Sequence, residues 1–316
     1  MAQQEQHLIF GTGPVGKAIM TSLLKRGKQV TMVNRSGKMD ETPSGVKIVK
    51  GDVKDEAFAA QTAQGMTHVY NATNPPYEDW HTQFPPLNTS ILKAASKAKA
   101  RLIVMDNLYM YGPTNGKLIT EDLPYNPNGK KSLTRAKMAN ELLEAHKRGD
   151  VRVVMGRAAD FFGPGVMGSS VGERLFYPAV EGKAAQLMFK IDLPHTYTFV
   201  PDIGEALVIL GENDDAYGKA WHVPSPRTVT TREFVKIVYE ASGHPMKTQV
   251  IGLNMSKFLS LFVPILREVQ EMSYSGMNPY IVDDTPFKKR FGDIATPLEK
   301  AIDQTVAWYK THPAHA

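Results

Sequence analysis

A chain of 316 residues, 42% hydrophobic and 22% charged, has the composition of a soluble globular protein and the length for one large core or two domains. It holds no cysteine, which excludes disulfides, thiol catalysis and thiolate metal sites; no metal site is expected, and a cytoplasmic location fits. The formal charge of +5 is modest, its basic clusters (Lys93 to Arg101, Lys130 to Lys137) fall on expected helices as solvated faces, and no continuous basic stripe points to nucleic acid. The longest apolar run, near Leu259 to Leu266, contains Pro264 and is too short to span a membrane. MAQQEQH at the start shows no secretory signal.

The first expected strand, HLIF, delivers Gly11-Thr12-Gly13-Pro14-Val15-Gly16, which opens a helix with Val15, Ile19 and Leu23 on one face and Gly27 as its stop. This context makes the G-x-G-x-x-G a dinucleotide-binding turn: Gly11 for the tight turn, Gly13 for close approach of a pyrophosphate, Gly16 for helix–strand packing. The helix N-terminus adds free N–H groups and a positive dipole end. The second strand, QVTMVN, ends in Asn34-Arg35-Ser36, with Lys38 close behind. An NAD site places an acidic residue here for the ribose 2′-OH. A guanidinium instead grips a 2′-phosphate, so the chain is expected to prefer NADP(H) over NAD(H). The plainer reading of Arg35 is a solvated cation in an ordinary Asn-Arg-Ser-Gly turn.

A third strand, VKIVKGDV, carries Gly51-Asp52-Val53; residues 54–64 suit a short helix, and THVYNAT is a fourth strand ending in the turn-rich Asn71-Ala72-Thr73-Asn74-Pro75-Pro76. A helix over roughly Leu87 to Lys99 leads to RLIVMDN, a nearly continuous apolar fifth strand of the kind covered on both faces. A helix over 130–148, stopped by Gly149, precedes a sixth strand, VRVVMGR. This alternation means right-handed βαβ units: an α/β fold with a Rossmann-type doubly wound parallel sheet. Past Arg157, residues 160–195 are rich in glycine, proline and aromatics; TYTFVPD reads as a strand entering a helix near Asp202, and Thr230 as the N-cap of a helix to Ser242. Residues 1–160 are therefore expected to form the NADP-binding domain, completed by a strand and helix near 197–223. Residues 161–316 are expected to form a smaller, mostly helical substrate lobe at the carboxyl ends of the strands.

The series of motifs resembles the extended short-chain dehydrogenase/reductases, the NAD(P)-dependent epimerase/dehydratase superfamily, from His7 to about Tyr309. It is carried by the glycine turn, Gly51-Asp52-Val53, Asn71-Ala72-Thr73, Tyr111-Gly112, Lys137, and Arg157 with Phe162-Gly163-Pro164-Gly165. The chain departs at Phe10, where the family's usual turn has a further glycine. The resemblance implies cofactor contacts from Gly11 through Gly16, from Asn34, Arg35 and Ser36, from Asp52 and Val53, and from Ala72, Thr73, Asn74, Lys137 and Ala159.

The family activates a tyrosine in Y-x-x-x-K, with a Ser or Thr steadying the substrate oxygen. Taking Lys137 as the lysine puts Leu133 at the tyrosine, and counting back five from Gly112 puts Asn107 at the Ser or Thr; the stretch Lys130 to Ala139 has no tyrosine in any register. The proton carrier is then sought elsewhere: Tyr109 first, with Tyr111 as the packing alternative and Asn107 as an oxyanion-type donor. Asp160, Phe161, Phe162, His195 and Tyr197 are candidate substrate contacts, Asp160, His195 and Tyr197 being further acid–base candidates, and Phe176 and Tyr177 enrich the same aromatic region. Arg174, Lys190 and Arg267 are scattered and form no diphosphate grip. The expected function is an NADP(H)-dependent oxidoreductase or epimerase/dehydratase-like enzyme on a small carbonyl or secondary alcohol, including a sugar nucleotide. The alternatives are an NADP(H)-binding redox sensor that does not turn over and, behind it, a structural subunit with a vestigial site. By family analogy the segments 87–99 and 130–148 would pair in a homodimer.

Overall fold

A computed structural model describes residues 5–314; residues 1–4, part of the stretch read as lacking a secretory signal, lie outside it. The side chains of Pro264 and Ile265 are likewise not described. The chain divides into two compact units, Met1–Met110 with Lys130–Arg157 and Ile203–Trp221, and Tyr111–Gly129 with Ala158–Asp202 and His222–Ala316.

The first unit opens with β1 (His7–Phe10), α1 (Pro14–Lys25), β2 (Val30–Asn34), β3 (Val46–Lys50), α2 (Glu56–Ala63) and β4 (His68–Asn71). It continues with α3 (Trp80–Ala98), β5 (Arg101–Asp106), α4 (Lys130–Lys147) and β6 (Val153–Arg157). Pairing from β3 through β2, β1, β4 and β5 to β6 is parallel throughout. The apolar runs of β1, β4 and β5 are buried, as strands covered on both faces must be. The helix expected from Leu87 begins a turn and more earlier, at Trp80, and contains Pro85 and Pro86. The two prolines cannot donate i→i−4 bonds. Burial of Trp80 and Phe84 against Met138 of α4 holds that stretch helical.

The second unit carries β7 (Asp160–Phe162), α5 (Glu173–Val180), β8 (Ala185–Met188), β9 (Pro194–His195) and β10 (Tyr197–Phe199). After α6 (Val200–Glu212) and β11 (Ala220–His222) come β12 (Val229–Thr230), α7 (Thr231–Ser242) and β13 (Thr248–Ile251). The rest is helical: α8 (Leu253–Leu259), α9 (Pro264–Gln270), α10 (Ser273–Met277), α11 (Thr285–Phe291) and α12 (Leu298–Thr311). The Thr230 hydroxyl accepts from Glu233 N at 3.1 Å, the expected cap. The strand read at TYTFVPD does not enter the large sheet: β10 pairs with β7, and the seventh strand of the sheet is β11, beside β6. Phe162, Phe176, Tyr197, Phe199, Phe234 and Tyr309 form this unit's buried core.

The sheet order β11-β6-β5-β4-β1-β2-β3 reverses direction between β1 and β4. Open α/β sheets bind their ligands at the carboxyl edge of such a switch. α6 packs on α1 so closely that a Cβ on Gly204 would lie 2.4 Å from the Ala18 carbonyl carbon. Glu205 adds bonds to Ser22 (2.6 Å) and Arg26 (2.6 and 2.9 Å).

At the opposite edge, His7 of β1 and His68 of β4 stack at 4.8 Å and are 1% and 2% exposed. Burial holds each imidazole down at about 4. The unfolded chain takes up these protons near 6.5, so their stabilisation is complete above that pH and is lost as pH falls toward 4. Urea titrations should show the unfolding free energy falling by roughly 2–4 kcal/mol per ring across that window. His7→Phe should remove about half of the drop; an equal drop in wild type and variant would contradict this account.

Candidate active site

Each glycine of the turn meets a different neighbour. Gly11 has φ +109°, and a Cβ there would lie 2.5 Å from Ala72 O and 3.2 Å from Thr73 N. The turn therefore abuts the chain leaving β4 at backbone distance. A Cβ on Gly16 would lie 2.2 Å from Gly11 O, so the first turn of α1 folds back onto its own entry loop. Gly13 is different: nothing lies within 4 Å of its missing Cβ, and it is the exposed N-cap of α1 with no side-chain cap. Thr12 is partly exposed, Pro14 occupies the first helical position, and Val15 is buried beneath. The helix end thus offers uncapped N–H groups on an open face.

Asn34, the last residue of β2, is fully used in holding the neighbouring loop. Its amide nitrogen donates to Thr12 Oγ1 (3.0 Å) and Lys38 O (2.8 Å), and its Oδ1 accepts from Gly37 N (2.6 Å) and Ser36 Oγ (3.1 Å). This clamp ties the end of β2 to the glycine turn and leaves Arg35 and Lys38 exposed. Neither side chain has an ion-pair partner among the described residues. Asp52 is exposed and accepts from Lys54 N at 3.0 Å, whereas Val53 is buried and its carbonyl takes the Ser90 hydroxyl at 2.6 Å. Beyond β4, Asn71 Oδ1 braces Thr73 through its N (3.2 Å) and Oγ1 (2.7 Å), with Ala72 partly exposed and Asn74 exposed.

The carboxyl end of β5 carries Asp106 and Asn107. Asn107 Oδ1 accepts from Tyr109 N at 3.1 Å, capping a short 3-10 turn, and its amide nitrogen has no partner among the described residues. Tyr109 is partly exposed and packs against Trp80 at 5.6 Å. Behind it lies a buried charge cluster: Asp106 receives Arg157 Nε at 3.1 Å and faces Arg135 Nη1 at 3.5 Å. The Arg135 guanidinium lies over Trp80 (4.6 Å) and Phe84 (4.1 Å), and its Nε is buried without a hydrogen-bond partner. Burial draws Arg135 below its ordinary range, against the pull of Asp106.

Arg135 fixes the orientation of α4 and corrects the reading of Lys137. Lys131, Ser132, Arg135, Ala136, Ala139 and Leu142 are buried, whereas Leu133, Lys137, Asn140 and Glu144 form the exposed stripe. At 100° per residue, Lys137 stands about 200° around the helix from Arg135. It lines a shallow outer cavity with His81 and Pro85 of α3, together with Leu133. The structure does not bring Lys137 to Asp106 or Tyr109. The side chains on the buried face at the same four-residue spacing are Lys131 and Arg135, two residues earlier; Lys131 Nζ lies 4.5 Å from the centroid of the Tyr77 ring. The periodicity of buried positions along α4 was the missed signal, since Lys130, Lys131, Arg135 and Lys137 read alike without it.

The second unit places the remaining candidates. Tyr111 is 2% exposed; since His222 Nδ1–H donates to Asp283 O (2.9 Å), its Nε2 accepts the Tyr111 hydroxyl at 3.1 Å. That engagement is structural. Ala159 N donates to Thr198 Oγ1 (3.1 Å). Asp160 and His195 are brought together: His195 Nε2 lies 3.1 Å from Asp160 Oδ2, which also accepts from Ser170. Burial pushes the Asp160 carboxyl up, but the His195 and Ser170 hydrogen bonds leave it below its ordinary range. His195 stacks between Tyr197 (4.6 Å) and Tyr280 (5.1 Å). Phe162 and Tyr197 belong to the core, Tyr197 bonding Thr231 at 2.8 Å, and Phe161 is partly exposed. Arg267 is spent on Ser260 O and Leu261 O, while Arg174 and Lys190 are exposed. Among the described residues no group of three or more His, Asp or Glu is arranged to hold a metal, and no helix is long and apolar enough to cross a membrane.

A glycine-turn strand–helix unit beside the switch point of a parallel sheet defines a Rossmann-type protein. The sequence profile of the NAD dependent epimerase/dehydratase family matches residues 8–223, and the chain belongs to that family. Comparison with curated proteins gives no match. Among solved structures, the Bordetella bronchiseptica enzyme WbmH in complex with NAD+ is 20% identical with a TM-score of 0.75, over 97% of this chain and 98% of that one. UDP-glucose 4-epimerase of Thermotoga maritima with UDP-glucose is 15% identical with a TM-score of 0.78, over 97% and 99%. MoeE5 in complex with UDP-glucuronic acid and NAD is 18% identical with a TM-score of 0.80, over 98% and 100%. At these identities the likeness is one of fold.

Asp106 faces both guanidinium groups, so its removal takes a buried counter-charge away from each. Asp106→Ala should lower the unfolding free energy by about 3–5 kcal/mol in urea titrations; a loss below about 1 kcal/mol, the scale of an exposed ion pair, would contradict the cluster.

Proposed function

We propose that the protein is a nicotinamide-dinucleotide-dependent oxidoreductase or epimerase/dehydratase-type enzyme acting on a small molecule with a carbonyl or secondary alcohol. The observation that carries this reading is the contrast among the three glycines: Gly11 and Gly16 are held by backbone contacts, while Gly13 faces open space at the uncapped end of α1. The residues fit a dinucleotide. Gly11, Thr12, Gly13, Pro14, Val15 and Gly16 would take its pyrophosphate, Asp52 and Val53 the adenine end, and Ala72, Thr73, Asn74 and Ala159 the rest of the cofactor. When bound, the nicotinamide ring supplies or accepts a hydride.

NADP(H) is the cofactor this reading favours. The end of β2 bears no carboxylate, Asn34 is neutral and engaged, and Arg35 and Lys38 are exposed cations next to the glycine turn. A 2′-phosphate would offer them charge-assisted hydrogen bonds. For the substrate, Asn107 presents an amide N–H able to bind an oxygen, and the sugar nucleotides named with the solved relatives support that class. In this reading Asp160, Phe161 and His195 are further substrate contacts. The half-exposed Leu133 on the outer face of α4 supports a homodimer through α3 and α4.

Arg35→Glu should weaken NADPH binding at least tenfold in a fluorescence titration, through loss of the guanidinium and repulsion by the new carboxylate, and leave NADH within about twofold. Equal losses for both cofactors, or none for NADPH, would contradict the assignment of the 2′-phosphate. Loaded protein that binds NADPH tightly yet shows no absorbance change across chemically varied substrate pools would favour the sensor alternative.

A further inference from the structure

We infer that Lys131 and Arg135 form the proton-carrying and cofactor-positioning pair of the site, replacing the tyrosine and lysine that the family places four residues apart. This rests on the cofactor reading above. The two side chains lie one turn apart on the buried face of α4, 3% and 7% exposed. In a βαβ unit the helix runs opposite to the strands, so the first turn of α4 stands at the carboxyl edge of the sheet. Arg135 meets Asp106, the last residue of β5. Lys131, four residues nearer the start of the helix, then stands about 6 Å further out, toward the edge where a ligand binds.

The chemistry of the two residues differs as their places require. A guanidinium does not give up its proton, so Arg135 is a fixed cation, backed by Asp106 and walled by Trp80 and Phe84. Its Nε is a buried donor with no hydrogen-bond partner among the described residues. Such a donor costs free energy unless a further acceptor meets it, and a ribose hydroxyl of the cofactor supplies one. Lys131 carries an ammonium that can donate a proton and an amine that can accept one, the property Leu133 lacks. In the reducing direction one N–H bond of Lys131 breaks and one O–H bond forms on the substrate oxygen, which keeps the electron pair of the former C=O bond as its carbon takes the cofactor's hydride. The lysine is left as the neutral amine and solvent reprotonates it. Asn107, beside Asp106, donates its free amide N–H to the same oxygen.

The test needs no substrate. The oxidised ring carries one more positive charge than the reduced one, so beside Lys131 its binding expels a proton. The ratio of the NADP+ and NADPH dissociation constants should therefore fall as pH rises, by at most tenfold per pH unit. Both constants are measured by fluorescence and calorimetric titration. Lys131→Arg, which keeps the charge but cannot release the proton, should abolish the slope with NADPH affinity retained. Arg135→Met should weaken both cofactors at least tenfold, and Lys137→Met should change neither constant beyond about twofold, as expected for an exposed side chain. A slope that survives Lys131→Arg, or that disappears in His195→Gln, would overturn the assignment, as would loss of affinity in Lys137→Met with Arg135→Met unaffected. Failure of wild type to bind either cofactor would instead overturn the dinucleotide reading itself. Melting curves for Lys131→Arg and Arg135→Met separate these outcomes from misfolding.

Discussion

The structure of the first unit turns on one carboxylate. Asp106, at the end of β5, lies between Arg157 from the end of β6 and Arg135 from α4, all three at most 7% exposed. Buried charge is tolerated only when paired, so this contact dictates which face of α4 turns inward. The placement of the other α4 side chains follows from that rotation. Lys131 comes to the carboxyl edge of the sheet, and Leu133 and Lys137 go outward. The aromatic rings of Trp80 and Phe84 complete the enclosure of Arg135 and anchor the start of α3, prolines included.

The second constraint is backbone proximity at the switch point. Gly11 and Gly16 leave no room for a side chain because the turn, the helix and the chain after β4 meet there at contact distance. Asn34 extends this rigidity outward by tying the loop after β2 to Thr12. The result is an open face at Gly13, at the uncapped end of α1, with Arg35 and Lys38 exposed beyond β2. Affinity at such a site comes from groups already in place, not from ordering a loop on binding.

Much of this was legible in the sequence. Period and glycine spacing gave the strands, the helices and the turn, because those features depend on local chemistry. The fate of Lys137 was not legible in the same way. Four cations stand between Lys130 and Lys137, none with a tyrosine four residues before it, and only the burial of Lys131 and Arg135 separates them. The Asp160–His195 contact was invisible for a related reason, since 35 residues separate two side chains that β7 and β9 bring within 3.1 Å. Tyr111 shows the converse case. In sequence it reads both as a candidate and as a packing tyrosine, and its long-range bond to His222 fits the packing reading.

The most direct measurement of the central claim is a crystal structure of the protein with NADPH. The account predicts the pyrophosphate over Gly13 at the start of α1, the 2′-phosphate against Arg35, and the nicotinamide ribose against the buried face of α4, with Arg135 Nε satisfied and Lys131 nearest the ring. A ribose held by Lys137, with Arg135 still unpartnered at Nε, would contradict it.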